Sequence, residues 1–117
     1  MTELVDKIKE RLESSGFNCE FDDTIWIKDF QQVVQGGTLI VNGQPIQQES
    51  SYRNITMIFE ICYECDIKDA DTGNVDKSLM CGFQVIVDGE HTQHLEINLY
   101  KDDYDFFNRL VTQIFGI

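Results

Sequence analysis

Ile55-Thr56-Met57-Ile58-Phe59-Glu60-Ile61-Cys62-Tyr63-Glu64-Cys65-Asp66-Ile67 is the stretch on which the fold turns. Successive side chains of an extended chain point to opposite sides, so a strand reads with period two. Here Ile55, Met57, Phe59, Ile61, Tyr63, Cys65 and Ile67 fall on one side. Thr56, Ile58, Glu60, Cys62, Glu64 and Asp66 fall on the other. One apolar and one largely polar face predict a long antiparallel-type strand with a buried side and a wet side.

The same period extends toward the C-terminus. Lys68 to Ser78 reads as a polar loop, after which Cys81, Phe83, Val85 and Val87 form the inward face of the next strand. Asp88-Gly89 turns that strand back into His91–Tyr100, with Leu95, Ile97 and Leu99 inward. A helix is predicted from about Asp102 and Asp103, with Phe106, Phe107, Leu110, Val111 and Ile114 on its apolar side. Toward the N-terminus, Glu49 to Asn54 reads as a polar loop. Asn42-Gly43 is the strongest hairpin signal in the chain, and Pro45 just after it, unable to donate to a ladder, predicts an edge strand. Further strands are read at Thr38–Val41, at Ile25-Trp26-Ile27 and across Phe17, Cys19 and Phe21. The chain opens with a helix: Thr2 as N-cap, Leu4, Val5, Ile8 and Leu12 on one face, and Gly16 at its end. The predicted class is α+β: an N-terminal helix, an antiparallel sheet of five or six strands and a C-terminal helix, both helices packed on one sheet face.

The 117 residues are predicted to form a single domain, 1–117, because one Pro and no Gly/Ser tract leave no place for a linker. Twenty-one acids against nine Lys and Arg give a net charge of -12. With 42% hydrophobic residues this is a folding chain and not a disordered acidic tail. A surface so negative repels nucleic acid and anionic membranes and attracts basic proteins. The first sixteen residues lack the apolar segment of a leader. With four cysteines expected as reduced thiols, they place the protein in the cytoplasm of a bacterial or phage-infected cell.

Chemical motifs are weak. Cys62-x-x-Cys65 and His91-x-x-His94 are the residue types of a zinc site, but residues three apart on a regular strand point to opposite faces. Asp69, Asp71, Gly73, Asn74 and Asp76 resemble part of a calcium loop, yet the sixth position is Asn74 and the twelfth Met80, where an EF-hand needs Gly and Glu. No serine lies in a nucleophile elbow and no Gly-rich phosphate loop is present. The sequence thus predicts a protein that is not an enzyme, with no cofactor and no metal site; a metal-binding or enzymatic domain using Cys62, Cys65, His91 and His94 is the third-ranked alternative.

The remaining signal is surface. Glu60, Glu64 and Asp66 on the sheet face away from the helices and Asp69, Asp71 and Asp76 on the adjoining loop, with Trp26 and Ile58 beside them, are predicted to form an acidic, apolar-centred patch. Such a patch suits a basic protein, including a nucleic-acid-binding enzyme. The leading expectation is an inhibitor of the immunity or phage anti-defence type, including nucleic-acid mimics. In the order and size of its elements the chain also resembles phage tail-terminator and neck proteins and class-I type III secretion chaperones. That resemblance implies a homo-oligomeric assembly part, with edge residues around Thr38–Gln48 mediating contact.

Overall fold

A computed structural model describes all residues from Met1 to Ile117. Helix α1 (Thr2–Ser14) is followed by strands β1 (Asn18–Glu20), β2 (Ile25–Val34), β3 (Thr38–Val41), β4 (Gln44–Gln47), β5 (Ser51–Lys68), β6 (Val75–Val87) and β7 (Glu90–Tyr100). Helix α2 (Tyr104–Leu110) continues into a π-helical turn, Val111–Phe115. Five strands form one antiparallel sheet in the order β1-β2-β5-β6-β7, and β3 and β4 form a separate two-stranded sheet. The class is α+β, with a helix at each end of an antiparallel sheet.

Helix α1 starts one residue earlier than Thr2 would place it, with Met1 at the N-cap position and no side-chain cap. Its end is a Schellman arrangement: Gly16 adopts φ +90, Gly16 N–H donates to Glu13 O and Phe17 N–H to Leu12 O. Leu4, Ile8 and Leu12 are buried from α1, and Phe107, Leu110, Val111 and Phe115 from the C-terminal helix. They meet Trp26, Ile55, Met57, Phe59, Leu79, Cys81, Phe83, Val85 and Leu99 of the sheet in one cluster. Both helices therefore cover the same sheet face. Arg11 clamps the two ends of the chain together: its guanidinium donates to Asn108 Oδ1 and to the Ile117 carbonyl, both at 2.7 Å, and to Ser15 Oγ.

The core occupies only part of the molecule. The chain measures 72 × 31 × 22 Å with a radius of gyration of 19.6 Å, against about 13 Å for a compact domain of about 100 residues. The excess length comes from β2 and β5, which run on together past the sheet and into β3 and β4. The pairs Val34↔Ser51 and Thr38↔Gln47 keep the same offset, and Gly37 and Gln48 exchange both backbone hydrogen bonds between them. Ile25 to Glu60 is thus one long hairpin, its tip the Asn42-Gly43 turn with both φ angles positive. Val41↔Gln44 closes that two-residue turn, so Ile40↔Pro45 is the non-hydrogen-bonded pair and the ring nitrogen of Pro45 faces the free edge.

Candidate functional site

Two β-bulges decide what the outer sheet face presents. Ile61 pairs with Cys81 but Tyr63 with Met80, so Cys62 is an extra residue in β5. Residues directly opposite share a face, and the phase of β5 therefore inverts after Cys62. Before it, Ile55, Met57 and Phe59 face the helices. After it, Tyr63 and Cys65 join Met80 and Ser78 on the outer face, and Glu64 and Asp66 stand opposite Leu79 and Lys77 on the helix side. The expectation that Glu64 and Asp66 share the outer face with Glu60 is corrected by this bulge.

Trp26 is corrected as well. It pairs with Phe59, is fully buried, and lies in the core with ring centroids 6.0 Å apart. Its Nε1 has no hydrogen-bond partner. The flanking Ile25 and Ile27 occupy the outer face instead, opposite Glu60 and Ile58. Ile58 is placed there, between Ile27 and Gln84, as expected from its parity. Asp76 stands opposite Ile67 on the outer face, six residues along β6 from the Gly82 that faces Glu60, or about 20 Å. Asp69 is occupied locally: its Oδ1 accepts the backbone N–H groups of Asp71 and Thr72, shaping the turn. The predicted acids are thus divided between two faces and a turn.

A different acidic row crosses the outer face. Glu20, Ile25, Glu60, Gly82 and Glu96 are successive partners from β1 to β7. Cys62 feels this row. Burial pushes its thiol above the ordinary value, and the charges of Glu60 and Glu96 push it further. Beneath it the buried Cys81 is pushed up to about 12, by burial first and by Cys62 second.

The parity objection to a zinc site does not hold, because each motif contains a bulge. Val85 pairs with Gln93 but Ile86 with His91, so Thr92 is the extra residue and His91 and His94 share the outer face. Distance separates the donors instead. Cys65 stands opposite Ser78, its Sγ 2.9 Å from the Ser78 hydroxyl oxygen, while His91 stands opposite Ile86. Eight residues of β6 span about 27 Å. His94 Nε2 lies 3.4 Å from Glu96 Oε1 and His91 Nε2 3.2 Å from Gln84 Oε1. No three His, Cys, Asp or Glu side chains are grouped to hold a metal ion. The largest surface depression, about 430 Å³, is lined by Met1, Val75, Asp76, Lys77, Tyr100, Lys101 and Asp102, at the opposite end of β6 from His91.

The most unusual surface was not singled out by the charged residues at all. Along the distal hairpin Val33, Leu39, Ile40, Val41, Ile46 and Tyr52 are exposed, Ile40 to 75%. Every residue of β3 and β4 is exposed on both faces. Between Asp29 and Arg53 the only charged residue is Glu49. All nine Lys and Arg and every other acid lie outside this arm, so taking Glu49 from the total of -12 leaves -11 on the body. The sequence signal that could have found the arm is that gap in charge, around the Asn42-Gly43 turn.

Compared with protein-family models, curated proteins and solved structures, the chain matches none of them.

Proposed function

We propose that this protein is a non-catalytic assembly component, an acidic body that docks to other protein through a neutral β arm. The observation that carries this reading is the segregation of the surface. In a chain with 26% charged residues, six of the eight exposed Val, Leu and Ile side chains (Val33, Val34, Leu39, Ile40, Val41 and Ile46, against Ile67 and Val75 on the body) fall in the one segment almost without charge. Isolated two-stranded hairpins are marginal in water, and a contiguous exposed apolar surface marks a contact site. The homo-oligomeric alternative suggested by Thr38–Gln48 is therefore favoured over the inhibitor reading. The test is a variant in which Gly36–Glu49 is replaced by Asn-Gly, closing the ribbon at Gln35 and Ser50. Retention of the body's thermal transition with loss of every association supports the reading; association unchanged in the shortened variant removes it.

A second reading rests on the row of Glu20, Glu60 and Glu96 with Ile25, Ile27 and Ile58 among them. Those side chains suit a cationic protein surface, as an inhibitor of a basic enzyme would require. Binding of this kind weakens steeply with salt, whereas binding through the neutral arm does not. Titrating salt against a measured complex separates the two.

A further inference from the structure

We infer that the partner of the arm is a second copy of this chain, the two arms joined edge to edge through β3 about a twofold axis. This rests on the arm being the docking element and adds its occupant and geometry. Three features of the molecule converge on it.

The first is charge. A body carrying -11 repels its own copy, so self-association through the body works against electrostatics. The neutral surface of this chain is the arm itself. From Phe30 to Asn42 the arm extends about 40 Å, and arms joined through β3, near their tips, hold the bodies several Debye lengths of about 8 Å apart. The second is exposure. Leu39, Ile40 and Val41 of β3 and Ile46 beside them are each about half exposed or more, so the apolar side chains that a pairing through β3 would bring together stand in solvent. The third is the edge. Pro45 turns its nitrogen to the free edge of β4 and offers no donor there. On β3 the pairs Leu39↔Ile46 and Val41↔Gln44 spend their backbone groups inward, so Thr38 and Ile40 direct their N–H and C=O groups outward. Proline blocks one edge and leaves the other open. An antiparallel β3-to-β3 pairing is self-complementary, as a twofold requires, and it merges two marginal hairpins into a four-stranded sheet.

The test is sedimentation and light scattering of the full chain over a range of concentrations, with Ile40→Pro and Ile40→Lys as variants. Ile40→Pro removes the outward N–H as Pro45 does across the ladder; Ile40→Lys places charge on the neutral ribbon. Circular dichroism and the thermal transition report whether the body, which does not contain Ile40, is intact. The expected result is a dimer whose dissociation constant rises at least about tenfold in both variants. A monomeric wild type at the highest soluble concentration overturns the self-pairing, while the shortened-arm variant still decides the docking role on its own. A closed ring of three or more copies overturns the twofold arrangement and leaves arm-mediated assembly standing. An undiminished dimer in Ile40→Pro overturns the β3 edge.

Discussion

Gly36 presses against the backbone of Gln48. A Cβ built on this glycine would fall well within 3.0 Å of the Gln48 carbonyl oxygen and 2.7 Å from the Ser50 nitrogen. The two strands of the ribbon are pinched together here, between the part continuous with the body sheet and the hairpin that carries the tip. Gly37, one residue on, has nothing within 4 Å of its would-be Cβ. Gly36→Ala is therefore expected to displace the arm, at a local cost of about 1–3 kcal/mol, and Gly37→Ala to leave the backbone in place. Amide chemical shifts measure both: changes in Gly36→Ala confined to residues 31–52, and none beyond the substituted site in Gly37→Ala.

Trp26 and Phe59 report on the body. Phe59 meets Trp26, Phe83 and Phe107, with centroid distances of 6.0, 5.1 and 5.3 Å. Phe59→Ala is expected to cost about 3–5 kcal/mol in urea unfolding. Trp26→Phe removes volume but also removes an indole N–H that has no acceptor, and the two effects oppose one another. The net cost is expected below about 1.5 kcal/mol.

Arg11 holds the C-terminal segment through Asn108 Oδ1 and the Ile117 carbonyl. Hydrogen bonds from a charged donor contribute about 1.5–3 kcal/mol, so Arg11→Met is expected to destabilise by about 2 kcal/mol. Hydrogen exchange locates the effect: protection falls first across residues 108–117.

Cys81 links stability to alkaline pH. Its folded value is pushed up to about 12 from an ordinary 9.0. The neutral thiol is the form the fold accepts, so this contribution is fully present below pH 9 and is lost as pH rises toward 12. Urea unfolding at pH 8, 9, 10 and 11 is expected to show a progressive loss that Cys81→Ala flattens. The neighbouring Cys62 gives a kinetic counterpart. Glu60→Gln or Glu96→Gln removes a charge that opposes its thiolate, so alkylation of Cys62 at fixed pH is expected to accelerate severalfold.

The alternation of Ile55 to Ile61, the Asn42-Gly43 turn and the two amphipathic termini were legible because each has a local cause: a pleat, a pair of positive φ angles, a helical face. Tyr63 to Ile67 was not. The bulge at Cys62 is flanked by no Gly or Pro, and the register that creates it is imposed by the pairing with β6. The same holds at Thr92, whose bulge brings His91 and His94 to one face. For Ile25-Trp26-Ile27, three apolar residues in a row carry no parity of their own, and only the pairing of Trp26 with Phe59 sends the indole inward. The acidic patch depends on the first and the last of these, the bulge at Cys62 that turns Glu64 and Asp66 to the helix side and the pairing that buries Trp26. The arm was hidden differently: Ser51–Asn54 reads as polar loop by composition but is strand, held by its pairing with Gln31–Val34.

The unbroken register from Ile25 to Glu60 has a mechanical consequence. Tension applied along the axis at Asn42-Gly43 reaches the body through two strands at once. Inside the sheet β5 is bonded to β6 from Ile55 to Lys68. Those bonds lie across the direction of pull and are loaded together, in shear, instead of being peeled one after another. The hairpin is thus a tether whose anchorage is the aromatic core, and whatever grips its tip pulls on Phe59.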